Sequence, residues 1–143
     1  MTGGDCLFCA IAAGTAPAAV VLDEPDVVAF LDIKPVFKGH VLVVPRAHVV
    51  TLPELTREQL TTVFGAVQRC AAAVVVGLGA QGSFVANNNV VSQAVPHLHV
   101  HVVPRTKGDG LRGFFWPRQK YDSPAEMEEY AARLRAALQS AIK

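Results

Sequence analysis

The chain has 143 residues, 51% hydrophobic and 17% charged, with 13 basic against 12 acidic residues. That length fits one domain able to bury about two thirds of its unfolded surface. The composition excludes intrinsic disorder, and a net charge of +1 offers no electrostatic footprint for a nucleic acid or a membrane surface.

The longest strongly apolar stretch, Cys70 to Ala80, is interrupted by glycine and falls short of the roughly 18–20 residues a transmembrane helix needs. The first residues, MTGGDC, have neither the basic nor the apolar region of a signal peptide. Cysteine is odd in number, and Cys6 and Cys9 are spaced C-x-x-C. That points to a reducing compartment, hence the cytoplasm, and to metal or redox chemistry rather than a disulfide framework. Val favours strands and Ala favours helices, and both are abundant, so a mixed fold is expected.

In chain order, Val20–Leu22, Val27–Leu31 and Val41–Val44 read as strands joined by short turns, a meander. The turn from Lys34 to Gly39 carries Pro35 early and glycine late, as a chain reversal does. A helix follows. Thr56 and Gln59 make a capping box, and Leu60, Val63, Phe64, Val67, Ala71 and Val74 recur at helical spacing. Gly77 and Gly79 end it. Ser83–Ala86 and Leu98–Val103 read as two more strands, joined by the loop 87–96. A last helix has Ser123 as its cap, Pro124 in its first turn and Glu126 completing a second capping box. Its stripe is Met127, Tyr130, Ala131, Leu134, Leu138 and Ile142. The expected fold is α+β: one antiparallel sheet of about five strands, one long helix packed on it and a C-terminal helix. The whole chain, 1–143, reads as one domain with a core at about 6–105 and an extension at 106–143.

The most informative stretch is His97-Leu98-His99-Val100-His101-Val102-Val103. In a strand, side chains alternate faces, so the three histidines share one face at intervals of about 6.5–7 Å. Leu98, Val100 and Val102 share the other and belong to the core. A solitary strand histidine is usually a solvated polar residue, but strict alternation against a clean apolar face asks for more. The row could bind a metal. It could equally present an imidazole nucleophile flanked by proton donors.

With this stretch the sequence resembles the histidine triad (HIT) family of nucleotide hydrolases and transferases. The resemblance continues in Phe30-Leu31-Asp32-Ile33-Lys34-Pro35 and in the run from Gly39-His40 through Pro45-Arg46-Ala47-His48. Cys6-Leu7-Phe8-Cys9-Ala10-Ile11, followed by Ala13-Gly14, is similar to the N-terminus of the family's bacterial members. What the resemblance implies is a covalent mechanism. His99 would attack the α-phosphorus of a nucleotide, and water would hydrolyse the nucleotidyl-histidine. His101 would bond the phosphate or protonate the leaving group. Asp32 matches the position that holds the ribose hydroxyls, with Ile33 beside it in the nucleotide site. The bland reading of Asp32 is a turn-capping aspartate before Pro35. Gln93 matches the glutamine of the phosphate-binding loop, and Asn87 falls nearest the register of the family's asparagine. Many members carry Gly before that glutamine and a hydroxyl residue after it. Here these are Ser92 and Ala94, and Ala94 has no side-chain donor for a phosphate.

Cys6 and Cys9 are half of a tetrahedral site. The resemblance to bacterial members points to His48 and His97 as the other half, giving a structural zinc site in which His97 is a ligand. A redox pair or two buried thiols are the alternatives. A thioredoxin-like motif, however, follows a strand and opens a long helix, a context missing at this N-terminus. Cys70 falls near an apolar helical stripe and reads as core. After the row, Trp116 and Arg118 lie in an aromatic and basic segment. Such a segment suits either a base stacked on an indole or guanidinium or packing at a subunit interface, and the resemblance implies a homodimer in which it reaches the partner's site, where Trp116 or Arg118 would act in trans.

The expected activity is hydrolysis at the α-phosphate of a purine nucleotide conjugate, a phosphoramidate or phosphoanhydride. The alternatives are a zinc-stabilised nucleotide-binding module with little turnover, and a dinucleoside polyphosphate hydrolase or nucleotidyltransferase. The expected partner is a small-molecule nucleotide, with no nucleic acid polymer and no membrane.

Overall fold

The Val-rich runs form one antiparallel sheet. A computed structural model describes residues 3–111 and 117–141, and the chain divides into two units, Met1–Asp109 and Gly110–Lys143. In the first unit the strands are β1 (Val20–Asp23), β2 (Val27–Leu31), β3 (Val41–Pro45), β4 (Gly82–Ala86) and β5 (Val100–Arg105). Their order across the sheet is β1-β2-β3-β5-β4. The first three make the expected meander, and β5 enters between β3 and β4.

Strand alternation splits the apolar side chains between two faces. Val27, Ala29, Val41, Val43, Val100 and Val102 pack against the long helix α2 (Arg57–Leu78) through Val63, Ala66, Val67, Cys70 and Val74. Val28, Phe30, Leu42 and Val44 pack on the other side against Cys6 and a short helix, α1 (Leu7–Ala12), through Phe8, Ile11 and Ala12. α1 leaves no periodic signature in the sequence, because six residues are too few to establish a helical period. Arg46 fastens it to the sheet. Its Nε donates to the Glu24 carbonyl at 2.8 Å, and the guanidinium also donates to the Ala12 carbonyl and the Asp23 carboxylate.

α2 begins as its sequence requires: Gln59 N–H donates to Thr56 Oγ1 at 3.1 Å, and Thr56 N–H donates to Gln59 Oε1 at 3.0 Å. It ends at Gly79, which takes the left-handed conformation at φ +73°, while Gly77 stays inside the helix. Leu60, expected in the buried stripe, is exposed; Ala66 and Cys70 are buried in its place. Over its 22 residues α2 is long and apolar enough to cross a membrane by length and composition. The sequence reading measured only the uninterrupted run. The sheet covers the stripe from Val63 to Val74, while Val75, Val76 and Leu78 stay exposed.

One glycine shapes the approach to the site. Gly39 has φ +93°, and a Cβ there would strike the Leu78 side chain. Only glycine adopts this conformation at no steric cost, so it turns the chain into β3 directly before His40.

In the second unit, α3 spans Pro124–Ala141. Ser123 caps it, accepting from Glu126 N–H at 3.1 Å. The expected reciprocal bond is displaced by one residue: Glu126 Oε1 accepts from Asp122 N–H at 2.9 Å. Met127, Tyr130, Leu134 and Leu138 of the stripe are exposed. Ile142 and Trp116 lie outside the described residues.

Candidate functional site

The histidine row sits where β5 begins. The ladder starts at Val100, so His97 and His99 precede it and only His101 is within it, paired with Leu42 on β3 and Ala86 on β4. The expected strand began at Leu98. Extended backbone continues the alternation without ladder bonds. His97 N–H donates to the Val95 carbonyl at 2.8 Å, Leu98 N–H to the Val49 carbonyl at 2.7 Å, and Asn87 Nδ2 to the His99 carbonyl at 3.1 Å. Leu98, Val100 and Val102 are fully buried. The imidazoles follow one another on the opposite side, with His99 and His101 rings 5.1 Å apart and the edge of Phe8 against both His97 and His99.

At one end of the row, His97 meets the cysteines. Its Nδ1 lies 3.3 Å from Cys6 Sγ and 3.4 Å from Cys9 Sγ, while His48 Nδ1 lies 3.2 Å from Cys9 Sγ. These four ligand atoms all lie within 4.8 Å of one another. The donor set can therefore hold a metal ion, and its spacing suits a tetrahedral one. Bonds of about 2.3 Å to sulfur and 2.0–2.1 Å to nitrogen give S···N edges of about 3.5 Å. His97 is already the right tautomer: its Nε2–H donates to the Pro45 carbonyl at 2.8 Å, leaving the Nδ1 lone pair for the ion. Without an ion, burial and then the neighbouring Cys6 push the Cys9 thiol up to about 11. Burial lowers the His97 pKa below the usual imidazole value, though the Pro45 carbonyl opposes it.

In the middle, His99 Nδ1–H donates to the His97 carbonyl at 2.8 Å. That bond fixes the proton on Nδ1 and leaves Nε2 as the atom with a free lone pair. The metal-type cluster and the candidate nucleophile are thus joined through one residue, His97, by its ring on one side and its carbonyl on the other.

At the far end, His101 Nδ1 lies 2.9 Å from His40 Nε2. His40 Nδ1 accepts the Val36 N–H at 3.1 Å. The proton of a neutral His40 therefore sits on Nε2 and is donated to His101 Nδ1, which leaves a neutral His101 with its own proton on Nε2. Burial, and secondarily His99 and His40, pull the His101 pKa down to about 4, and burial lowers that of His40 against the pull of Asp32. Asp32, His40 and His101 also have ligand-type atoms within 4.8 Å of one another. The Val36 amide argues against an ion here, because it occupies the Nδ1 lone pair of His40 and keeps the proton on Nε2, so neither nitrogen has a free lone pair.

His40 has no assigned role in the sequence pattern, yet the fold places it against the row. Its parity could have found it: it shares a face with Leu42, which pairs with His101. Of the expected nucleotide-site residues, Asp32 has both characters. Its Oδ1 accepts from Lys34 N–H at 2.8 Å, the turn-capping bond, and its Oδ2 lies 3.8 Å from His40 Nδ1. Ile33 is 88% exposed, a large apolar side chain without cover beside Asp32. Gln93 is committed to the backbone. Its Oε1 accepts from Val90 N–H at 2.9 Å and its Nε2 donates to the Val50 carbonyl at 2.7 Å. Ser92 adopts φ +61°, which explains the glycine that the resemblance expects there. Among the described residues, Asn87 Oδ1 is buried with no hydrogen-bond partner. Arg118 belongs to the second unit and is exposed.

A five-stranded antiparallel sheet carrying an alternating histidine row, with a thiol–imidazole cluster at one end of it, defines the class. The HIT domain model matches residues 13–108, and the chain belongs to the HIT family, whose activities are those of nucleotide-binding hydrolases and transferases. The chain is 37% identical to Protein hit of Bacillus subtilis, covering 95% of this chain and 96% of that one. It is 32% identical to adenosine 5'-monophosphoramidase hnt1 of Schizosaccharomyces pombe, covering 86% and 90%. A crystal structure of a zinc-bound histidine triad family protein from Mycobacterium smegmatis superposes with a TM-score of 0.73 at 34% identity, over 95% of this chain and 99% of that one. Relatives come from bacteria, archaea and fungi, so the family is shown without a bacterial subgroup being singled out.

Proposed function

We propose that this protein hydrolyses a purine nucleotide conjugate, a phosphoramidate or phosphoanhydride, at its α-phosphate through a covalent nucleotidyl-histidine on His99. The observation that carries this reading is the His99 Nδ1–H bond to the His97 carbonyl, which leaves Nε2 as the nucleophilic atom. Nε2 forms a bond to the α-phosphorus, and the bond from phosphorus to the leaving group breaks. His101, a neutral ring, donates a hydrogen bond from its Nε2–H to the leaving atom, which takes up one proton from solvent as it departs. Water then attacks the nucleotidyl phosphorus and gives one proton back to solvent, releasing the nucleoside monophosphate and restoring His99. The tautomer chain from Val36 through His40 supports His101 as the donor. Asp32 is the proposed acceptor for the ribose hydroxyls, with Ile33 against the base and Asn87 Oδ1 facing a donor on the nucleotide. Gln93 shapes the loop through its two backbone bonds. A 32% identical relative that is an adenosine 5'-monophosphoramidase supports the substrate class.

The metal proposed for Cys6, Cys9, His48 and His97 is a structural zinc, supported by the donor set and by the zinc-bound relative. When bound, it holds the segment that carries His99. The free thiols and the resemblance support a cytoplasmic homodimer.

The test is a single-turnover experiment with an adenosine phosphoramidate, quenched in denaturant. The expected result is a nucleotidyl adduct on His99 in the wild type. In His99→Ala turnover falls on the order of 10³-fold or more, with the fold retained by circular dichroism. Undiminished turnover in His99→Ala overturns the covalent mechanism, and nucleotide binding without any adduct in the wild type reduces the protein to a binding module.

A further inference from the structure

We propose that Cys6 and Cys9 are a redox-active dithiol that a low-molecular-weight disulfide converts to an intramolecular disulfide, and that this closure disengages His97 from its sulfur partners and so displaces the nucleophile. The inference rests on the zinc site and the covalent reading above and adds regulation to them.

Three observations place the two sulfurs for this step. Cys6 immediately precedes α1, and Cys9 N–H donates to Cys6 Sγ at 3.4 Å, so both sulfurs lie on the same side of the first turn. Residues three apart on a helix are near neighbours, and a disulfide spans Cα separations of about 4.4–6.8 Å. The remaining cysteine, Cys70, is buried in the cluster between α2 and the opposite face of the sheet, so Cys6 and Cys9 have only each other. Cys9 is partly exposed while Cys6 is buried, which sets the order of attack.

The Cys9 thiolate attacks one sulfur of the incoming disulfide, forming a mixed disulfide and releasing one thiolate. The Cys6 thiolate then attacks the Cys9 sulfur and expels the second. Two cysteine thiolates are oxidised, the small disulfide is reduced to two thiolates, and the ion they held leaves with its two positive charges uncompensated by sulfur. The two new thiolates balance that charge.

The consequence reaches the row through His97. Its ring is fully buried, and its Nδ1 faces only these sulfurs in the bonds described, while its carbonyl receives the Nδ1–H of His99. A disulfide sulfur has neither proton nor charge to offer, so Nδ1 becomes a buried polar atom without a partner. Segment 97–99 relieves that by moving, and His99 moves with it. No thioredoxin-like surroundings are required, because the bound ion holds both sulfurs as thiolates.

The experiment uses the zinc-loaded, full-length protein and oxidised glutathione as the probe. Zinc release is followed with a chromogenic chelator, thiols are counted in denaturant, and intact mass is recorded beside turnover. The expected result is release of the bound zinc, a thiol count falling from three to one, a mass lower by two hydrogens, and turnover reduced roughly tenfold to a hundredfold. A dithiol reductant with added zinc restores the activity. Cys70→Ser behaves as the wild type does, with a thiol count falling from two to none. Stable glutathione adducts without closure, or zinc retained throughout, overturn the dithiol; closure with unchanged turnover overturns its coupling to His99. A protein that shows no turnover before oxidation defeats the covalent reading, and with it the coupling, while mass and zinc release still decide the dithiol.

Discussion

The two ends of the histidine row are built from the same ring and do opposite things. At one end His97 turns a lone pair toward Cys6 and Cys9; at the other His101 accepts a hydrogen bond from His40. Both ends bring metal-type ligand atoms within 4.8 Å of one another, so proximity does not distinguish them. The backbone group behind each ring does. Behind His97 is a carbonyl, that of Pro45, which takes the ring proton away from the sulfurs. Behind His40 is an amide, that of Val36, which drives the ring proton toward His101. An acceptor behind the ring frees a lone pair for a ligand role, and a donor behind the ring passes a hydrogen bond along the row. His99 stands between them and takes its own tautomer from the His97 carbonyl.

The largest expected effect comes from breaking the ligand end. Cys6→Ser/Cys9→Ser removes both sulfurs, and the protein loses stoichiometric zinc and much of its stability, because binding energy at a structural site is folding energy. Metal analysis and thermal unfolding check this. Stoichiometric zinc in the double variant would defeat the assignment. The contrast with the other end gives a sharper form: a Co²⁺ titration of metal-free protein saturates at about one ion per chain with thiolate-type absorption. A second ion lost on His40→Gln would show that the Asp32, His40 and His101 group binds metal after all.

Next in size is the proton end. His40→Phe keeps a ring of similar bulk but removes the donor to His101 Nδ1. kcat for a substrate with a poor, basic leaving group falls roughly 10²-fold, in the range that losing one well-aimed hydrogen-bond donor costs. A substrate whose leaving group departs as a stable anion loses much less. Equal losses on both substrates would assign His40 to packing alone.

How much of this was legible beforehand follows the same division. The sheet, α2 and its cap were readable because each is a local pattern: period two in the Val runs, the Thr56–Gln59 box, and the apolar stripe from Val63 to Val74. The alternation of His97, His99 and His101 survived even where the ladder did not reach, since extended backbone alternates without hydrogen bonds. α1 was invisible because a single turn and a half has no period to read. The zinc-type cluster depended on resemblance, since Cys9 and His97 lie 88 positions apart and no spacing rule joins them. The identity of the group behind each ring was not readable at all. Pro45 and Val36 act through backbone atoms, which every residue has, and only the fold decides which of them meets an imidazole.

The smallest effect tests both ends together through acid stability. His40, His97 and His101 are all held neutral by burial, with pKa values lowered from the ordinary imidazole value, that of His101 to about 4. The groups facing His101 are His40, His99 and Asp32, and only Asp32 favours its protonation. In the unfolded chain these rings titrate near the reference value of about 6.5. Between about pH 6.5 and pH 4 the unfolded state therefore binds more protons than the folded one, and stability rises with pH. The contribution is complete above the unfolded value and is lost as pH falls through the window. Thermal unfolding of the metal-free protein should show Tm falling across that interval, with a shallower slope in His101→Gln than in the wild type. An unchanged slope would mean that His101 is not held neutral at its end of the row, and the donor assignment would fall with it.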